Sequence, residues 1–383
     1  MKYEIQNVPQ LRFQEFDGEW KNRSMRDFTK INQGLQIPIS ERFYEKTDDN
    51  YFYITNEFLR KGSEKSYFIK NPSESVICYE DDILMTRTGN TGQVVTGVHG
   101  AFHNNFFKIK YDKTCSKWFL YYFLTSHKTQ HTILKLAGTS TIPDLNHGDF
   151  YKITLNTPTL PEQQKIASFL SAVDEKIQQL SRKKELLSQY KKGVMQQLFS
   201  GKLRFKDENG NDYADWEEKK LGECLNYIQP TKYLVSSTEY DNSYSTPVLT
   251  AGKTFILGYT NETNGIFENN LPVIIFDDFT TATKLVDFPF KAKSSAMKIL
   301  VPFKKVNIKF IYEAMQIMKY EIGGHERHWI SKFSQILMPF PCFDEQQKIA
   351  SFLSSIDAKI ESANQQITQT QSFKKGLLQQ MFV

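Results

Sequence analysis

Two stretches of the chain place apolar residues alternately three and four positions apart, which is the spacing of a helix that packs along one side. Residues 162–199 keep this spacing over about five heptads, as a coiled-coil seam does, and residues 345–382 keep it again. The pattern predicts two long helices, each roughly 57 Å in length at ~1.5 Å per residue. The predicted seam residues are Ile166, Leu170, Val173, Ile177, Leu180, Leu187, Val194, Leu198, Ile349, Leu353, Ile356, Ile360, Ile367 and Leu377.

The two stretches are copies of one another. Starting from Glu162 and Glu345, which lie 183 residues apart, they align without a gap and are identical at 19 of 38 positions. Each copy begins with the run EQQKIASFLS and contains Lys-Lys-Gly near its C-terminal end. A helix of this length needs a partner to cover its apolar side, and we predict that the copies pair antiparallel. The alternative is a solvated linker helix.

The segments before the two helices predict mixed globular domains. Both open with Leu-Arg-Phe, at Leu11–Phe13 and Leu203–Phe205, and a single tryptophan follows each time. The whole unit of globule and helix is therefore duplicated. We predict an α+β fold with a pseudo-two-fold axis, divided into a first globular domain at 1–156, a central helix at 157–200, a second globular domain at 201–340 and a C-terminal helix at 341–383.

Short β-branched or aromatic runs between Gly, Asn and Asp predict the strands of each globule. In the first globule they are Tyr51–Thr55, Val76–Cys78, Ile83–Thr86, Gln93–Val98, Phe106–Tyr111 and a last strand at Phe150–Leu155. In the second they are Thr254–Leu257, Val273–Phe276, Thr283–Asp287 and Ala296–Ile299. Helices are expected at Ser116–Leu136 and Ile308–Met318.

The composition is that of a globular chain with ample core, with 40% hydrophobic and 14% aromatic residues. The sequence has no apolar run long enough to span a membrane and no apolar signal core near Met1. Its four cysteines are far apart and form no Cys-x-x-Cys pair, which favours reduced, buried thiols and a cytoplasmic location. The net charge of +5 permits a nucleic-acid partner without demanding one.

Catalytic motifs are poorly represented. Gly252-Lys253-Thr254 ends like a phosphate-binding loop, but Pro247 stands where that loop needs glycine. Two histidine pairs, His99/His103 and His127/His131, have helical metal spacing but no evident third ligand. We expect no catalytic residue, no metal and no cofactor in this chain, and a binding function instead.

Three polar clusters carry side chains of the kind that read base edges in a major groove. The candidates are Arg87, Thr88, Asn90 and Thr91 in the first cluster, Asp278, Thr280, Thr281, Thr283 and Lys284 in the second, and His325, Arg327, His328 and Trp329 in the third. An ordinary polar turn remains the alternative for each cluster.

The run Thr157-Pro158-Thr159-Leu160-Pro161-Glu162-Gln163-Gln164-Lys165-Ile166, leading into a long helix, resembles the specificity subunit of type I restriction–modification systems. The second copy, from Pro341 to Phe382, resembles it equally, and the likeness covers the full chain. Gly138-Thr139-Ser140-Thr141 is similar to the family as well, which adds Thr139 and Ser140 to the candidate DNA contacts. Gly323-Gly324-His325 stands at the corresponding place in the second globule.

The resemblance implies two target-recognition domains, each reading one half of a bipartite, asymmetric DNA site, with the coiled coil fixing the gap. It also implies two modification subunits, which flip an adenine and methylate it with S-adenosylmethionine, and two restriction subunits that use ATP and Mg²⁺. These cofactors would lie on the partner subunits. The alternative function is a non-enzymatic coiled-coil scaffold whose domains bind protein or carbohydrate.

Overall fold

The structure is a computed structural model, and it describes residues 8–60, 62–250, 254–318 and 328–382. The chain forms two compact units, and the division falls inside both long helices, after Ser181 and after Asn364. Unit 1 combines the residues before this first division with those after the second, and unit 2 is the segment between them. The prediction treated each long helix as a segment of its own, whereas each compact unit contains part of both long helices.

Where the structure describes it, unit 1 contains ten strands, four short α-helices, the first part of α5 (Leu160–Phe199) and the last part of α9 (Phe343–Met381). Its strands are β1 (Lys21–Ser24), β2 (Thr29–Gln33), β3 (Asn50–Ile54), β4 (Phe68–Lys70), β5 (Ile77–Cys78), β6 (Ile83–Thr86), β7 (Val94–Val95), β8 (Gly100–Phe102), β9 (Phe106–Tyr111) and β10 (Thr154–Thr157). Its helices are α1 (Met25–Phe28), α2 (Lys117–Thr125), α3 (His127–Ala137), α4 (His147–Tyr151) and the first part of α5 (Leu160–Phe199).

The described residues of unit 2 form nine strands and three short α-helices besides parts of both long helices. Its strands are β11 (Glu217–Lys220), β12 (Leu225–Ile228), β13 (Thr246–Leu249), β14 (Ile256–Thr260), β15 (Val273–Asp277), β16 (Thr283–Val286), β17 (Lys291–Ala292), β18 (Met297–Pro302) and β19 (Leu337–Phe340). Its helices are the second part of α5, α6 (Leu221–Cys224), α7 (Ile308–Ile317), α8 (His328–Ser331) and the first part of α9 (Phe343–Met381).

The two units share one sheet plan. Unit 1 has an antiparallel sheet in the order β2–β9–β6–β7, and unit 2 has its equivalent in the order β12–β18–β15–β16. A second sheet contains one parallel neighbour pair in each unit, β3 with β8 and β13 with β17. A two-stranded pair then joins the start of each domain to its end, β1 with β10 and β11 with β19. The structure thus confirms the predicted mixed fold and its duplication.

The long helices run antiparallel. In unit 2, Lys184 Nζ donates to Asn364 Oδ1 at 2.7 Å, and Lys191 Nζ donates to Asp357 Oδ1 at 2.6 Å. A residue seven positions later in α5 therefore pairs with a residue seven positions earlier in α9. In unit 1, Lys374 Nζ donates to both carboxylate oxygens of Asp174, at 2.6 and 2.8 Å.

Most predicted seam residues are buried within their own unit. The buried ones are Ile166, Leu170, Val173, Leu180, Val194, Leu198, Ile349, Leu353, Ile356 and Leu377. The others, Ile177, Leu187, Ile360 and Ile367, are half-buried. All four lie towards the middle of their helices, whereas the ends of the helices pack into the sheet cores.

Two predicted elements differ in type from the structure, while the strands expected at Gln93–Val98 and Thr254–Leu257 are found with other bounds, as β7 and β14. The helix expected over Ser116–Leu136 is two helices, because Ser126 has an extended conformation and its side chain caps α3 by accepting the Thr129 N–H. The strand expected at Phe150–Leu155 is the end of α4 followed by β10, since Asn146 caps a helical turn through the N–H of Asp149. In both places a polar side chain at a helix start outweighs the surrounding apolar pattern.

Candidate nucleic-acid interface

The glutamate of the duplicated Glu-Gln-Gln sequence attaches each domain to its long helix through hydrogen bonds to an arginine and a tryptophan. We call this set of contacts the fastening. Glu162 is buried, and its carboxylate accepts from Arg12 Nε at 2.7 Å, Arg12 Nη2 at 2.8 Å and Trp20 Nε1 at 3.3 Å. The hydrogen bond to Glu162 raises the pKa of Arg12. The arginine of the repeated Leu-Arg-Phe sequence and the tryptophan that follows it therefore both pair with this carboxylate.

The second copy builds the same fastening. Glu345 is fully buried and accepts from Arg204 Nε at 3.2 Å, Arg204 Nη2 at 2.9 Å and Trp216 Nε1 at 2.8 Å. The next residue is equally occupied, since the Gln346 amide accepts the Asn307 N–H and donates to Pro341 O. These side chains hold the framework, so they are unavailable to a ligand.

A second internal contact differs between the units. Ser116 and Asn307 hold equivalent places, because their N–H groups donate to the equivalent glutamines Gln163 and Gln346. Six residues after these equivalent positions, Tyr122 of unit 1 corresponds to Glu313 of unit 2. The Tyr122 hydroxyl donates to Asp174 at 2.9 Å.

In unit 2 this place is an ionic network. Buried Glu313 accepts from Lys191 at 2.9 Å and from Lys309 at 2.6 Å, and both lysines also pair with Asp357. Burial alone would raise the pKa of Asp357, but hydrogen bonds from the two lysines outweigh it and the pKa lies below its ordinary value. The two domains thus fasten to equivalent helix positions with different chemistry.

In unit 1 the structure brings the first polar cluster against Pro143 and Asp144, which closely follow the Gly138–Thr141 stretch. The cluster is the turn between β6 and β7, residues 87–93. Thr88 forms a β-bridge with Asp144, and Thr91 Oγ1 donates to Pro143 O at 2.6 Å. Arg87 Nη2 donates to Asp144 Oδ2 at 2.7 Å, so this guanidinium is largely occupied. We call residues 87–93 and 138–144 the unit 1 turns.

In unit 2 the equivalent turn lies between β15 and β16, residues 278–282, and α8 packs behind it. The carboxylate of Asp278 accepts the Trp329 N–H at 3.0 Å and lies 3.3 Å from Lys298 Nζ. Asp277 accepts the Thr280 hydroxyl at 2.7 Å. We call residues 278–282, together with Thr283 and Lys284 at the start of β16, the unit 2 turn.

Burial corrects the prediction for several candidates. Asp278, Thr281, His328, Trp329 and Thr91 are buried, and Trp329 packs its ring against Phe276. Because a side chain enclosed by its own domain cannot reach a base edge, these residues belong to the framework. Thr88 and Thr283 are half-buried, and the Thr283 hydroxyl accepts from Gln316. Two further candidates, His325 and Arg327, lie outside the described residues.

The candidates that remain exposed are Asn90, Thr139 and Ser140 in unit 1, and Thr280 and Lys284 in unit 2. Apolar side chains at the same turns are also exposed, Ile142 by 63% and Phe279 by 54%. Sequence reasoning missed both because it searched for hydrogen-bonding groups. The available signal was a large apolar residue inside a polar turn.

Three of the four cysteine thiols are buried. Burial raises the pKa of Cys78 and of Cys115 to about 12 and that of Cys224 to about 11, whereas Cys342 is exposed, contrary to the expectation of buried thiols. Across the described ranges, no group of three or more His, Cys, Asp or Glu side chains is placed to hold a metal ion. In the same ranges no helix is long and apolar enough to cross a membrane.

The family model for the type I restriction modification DNA specificity domain matches residues 17–189 and again residues 213–371. The chain belongs to this family. The two matches coincide with the duplication, and they support DNA sequence recognition within a restriction–modification complex. Nothing supports the alternative of a protein- or carbohydrate-binding scaffold.

Individual relatives agree with the family assignment. The chain is 51% identical over 150 residues to the type I restriction enzyme EcoR124I/EcoR124II specificity subunit of Escherichia coli, a match that spans 38% of this chain and 37% of that protein. It is 25% identical to the MjaVIII specificity subunit of Methanocaldococcus jannaschii over 98% of this chain and 95% of that one.

One solved structure shows the same fold along the chain. The type I restriction–modification S subunit from M. genitalium superposes with a TM-score of 0.66 and 19% sequence identity. The match covers 98% of this chain and 99% of that one. The fold of the specificity domain is thus shared well beyond the sequence likeness.

Proposed function

We propose that each unit of this specificity subunit reads one half of a bipartite DNA site, and that the two half-sites differ. The observation that carries this proposal is the contrast between framework and turns. The fastening at Glu162 recurs at Glu345, whereas the exposed side chains are Asn90 and Ser140 in unit 1 and Phe279 and Lys284 in unit 2. Two units that share one fold but expose different side chains at their turns are expected to recognise two different half-sites.

The chemistry belongs to other subunits in this proposal. Two modification subunits methylate N6 of an adenine in each half-site with S-adenosylmethionine, after flipping the base out of the stack. Two restriction subunits that use ATP and Mg²⁺ complete the cleaving complex. This chain acts in the cytoplasm as a non-catalytic subunit, binds none of these cofactors and selects the DNA site.

Alanine at Asn90 and at Lys284 tests the assignment of the turns. A bidentate base contact contributes about 1–3 kcal/mol of discrimination, so Asn90→Ala is expected to weaken DNA binding about tenfold and relax one position of one half-site. Lys284→Ala acts on the other half-site, or lowers the salt dependence of binding by about one ion if it contacts phosphate. The measurement is affinity for single-position site variants, at several salt concentrations, with the assembled complex.

Lys113→Ala is the matched control, because Lys113 is exposed beyond the opposite end of β9 from the unit 1 turns. It is expected to leave affinity within about twofold. If Asn90→Ala weakens both half-sites equally, or changes neither, the unit 1 turns do not read a half-site.

The modification subunits are proposed to dock on a repeated stripe of the long helices. Tyr190 of α5 and Phe373 of α9 are equivalent across the duplication and are 53% and 55% exposed. Gly193 and Gly376 follow one turn later, inside a helix, where glycine costs about 1 kcal/mol relative to alanine. Apart from the neighbouring backbone of the same helix, no described atom lies within 4 Å of the place that a Cβ would take at either glycine. A partner backbone packed closely against each glycine would explain both residues.

Two substitutions at Gly193 separate docking from folding. Because alanine favours a helix, Gly193→Ala is expected to raise the free energy of unfolding by about 0.5–1 kcal/mol. Gly193→Leu fills the space and is expected to weaken co-purification of modification subunits while the melting temperature of the isolated chain does not fall. Ser188→Leu adds bulk at an exposed site on another side of α5, about 140° round the helix from Gly193, and serves as control. Unchanged subunit stoichiometry with Gly193→Leu would place the docking surface elsewhere.

A further inference from the structure

The second sheet of unit 1 has two faces of different character. Alternate residues of a strand point to opposite faces, and Ile54 of β3 and Phe102 of β8 pack into a closed apolar cluster. Their strand neighbours Tyr53 and Ala101 lie on the other face with Ile69, partly covered by the segment that contains Leu35 and Ile37. Towards the start of β3 that cover ends, and aromatic side chains are exposed.

Three rings stand side by side on this open part. The His99 ring stacks on Tyr79, with centroids 5.2 Å apart and planes at 18°. Tyr51 meets the same imidazole edge-on at 6.2 Å. His99 is exposed, and Tyr51 and Tyr79 are 38% and 50% exposed. We call Tyr51, Tyr79 and His99 the aromatic row.

The same face already holds one guanidinium. Arg42 lies 5.2 Å from the ring centroid of Tyr53 and 5.3 Å from that of Tyr67, both within cation–π range. Its Nε and Nη2 donate to Ile37 O. This internal contact shows how the tyrosines of the face accommodate an arginine, with rings beneath the cation and oxygen acceptors at its edge.

The charges around the aromatic row are mainly negative. The Tyr79 hydroxyl donates to Glu74 at 2.8 Å, and Asp49 pairs with Lys70 at 2.7 Å. The segments that border the row carry the carboxylates Glu41, Glu45, Asp48, Asp49, Glu74, Glu80, Asp81 and Asp82 against the cations Arg42, Lys46 and Lys70. Two further cations reach this border, since Lys108 pairs with Asp82 and Lys117 with Asp81, and the carboxylates still outnumber the cations. This imbalance repels phosphate and attracts cationic side chains.

The aromatic row is not part of the common framework. The pair Tyr53 and Ala101 in unit 1 corresponds to Val248 and Lys291 in unit 2. Counted back from these, Thr246 replaces Tyr51 and Pro289 replaces His99. Since unit 2 folds on the same plan without these rings, the fold does not require them.

We propose that the aromatic row of unit 1 docks a protein segment that presents arginine side chains. Each guanidinium stacks on a tyrosine ring, as Arg42 does on Tyr53, and pairs with a bordering carboxylate. The acidic border disfavours DNA as the occupant. The surface goes beyond DNA reading and modification-subunit docking, because unit 2 has no equivalent of it.

Binding of short labelled peptides to the full-length chain, followed by fluorescence anisotropy, tests this surface. The probes are a peptide of alternating glycine and arginine, its lysine counterpart and a single-stranded oligonucleotide. We expect the arginine peptide to bind more tightly than the lysine peptide, because a planar guanidinium stacks on aromatic rings. Tyr51→Ala with Tyr79→Ala is expected to weaken arginine-peptide binding about tenfold.

Matched variants keep the test sharp. Tyr51→Phe with Tyr79→Phe retains the rings and is expected to bind within about twofold of the unchanged chain. The same is expected of Phe303→Ala, which removes an aromatic ring of similar exposure in unit 2. Asp48→Lys with Asp49→Lys leaves the rings intact and is expected to weaken binding severalfold. Equal binding of the arginine peptide by the alanine variant, or loss of oligonucleotide binding instead, would overturn the proposal.

Discussion

Replacing Glu345 with alanine is expected to lower the free energy of unfolding by about 3 kcal/mol, because it removes the carboxylate that accepts from a partly buried guanidinium and a partly buried indole N–H. Arg204 and Trp216 donate to this carboxylate from the start of the second domain, and Glu345 itself is fully buried. For a unit of this size the melting temperature should fall by roughly 6–12 °C. Glu162→Ala should act similarly on unit 1.

Glu185→Ala is the matched control, since Glu185 pairs with Arg182 on the exposed surface of the same kind of helix. Exposed pairs of this type contribute about 0–1 kcal/mol, so its melting temperature should stay close to that of the unchanged chain. If Glu345→Ala melts like Glu185→Ala, the repeated Glu-Gln-Gln sequence is not a structural fastening.

A matched insertion of one heptad into both long helices is expected to lengthen the gap between the half-sites by about three base pairs. Seven helical residues add about 10 Å, and one base pair of DNA spans ~3.4 Å. The insertions belong after Ser181 and after Asn364, where the compact units divide, so that contacts within each unit are kept. Sequencing of methylated adenine motifs in the host reads out the new gap.

The control for this experiment is an insertion in α5 alone. Because it lengthens α5 and not α9, the pair Lys191 with Asp357 and the pair Lys374 with Asp174 cannot both stay in register. A less stable chain with lost methylation is expected. A matched insertion that changes the bases recognised, with the gap unchanged, would contradict a role for the helices in spacing.

The long helices could be predicted from the sequence because their signal is local and repeated. The 3-4 apolar spacing identifies the seam, and the strands Ile83–Thr86 and Phe106–Tyr111 have the predicted bounds. The break at Ser126 was missed, because a serine cap inside an apolar helical pattern is a one-residue feature that periodicity does not register.

The candidate contacts were harder to predict. Asp278 and Asn90 are both polar residues in turns, yet Asp278 is buried against Lys298 while Asn90 is exposed. Which polar side chain turns inward depends on a partner far away in the sequence, such as Trp329, whose N–H donates to Asp278. The role of Glu162 was missed for the same reason, since Arg12 lies 150 residues away.

The central claim is that two independent readers share one duplicated framework. The most direct measurement exchanges residues 1–156 for the first domain of another specificity subunit and sequences the methylated adenine motifs of the host. One half of the motif should change while the other half and the gap stay the same. A change in both halves would contradict the claim, because it would show that the domains do not read DNA separately.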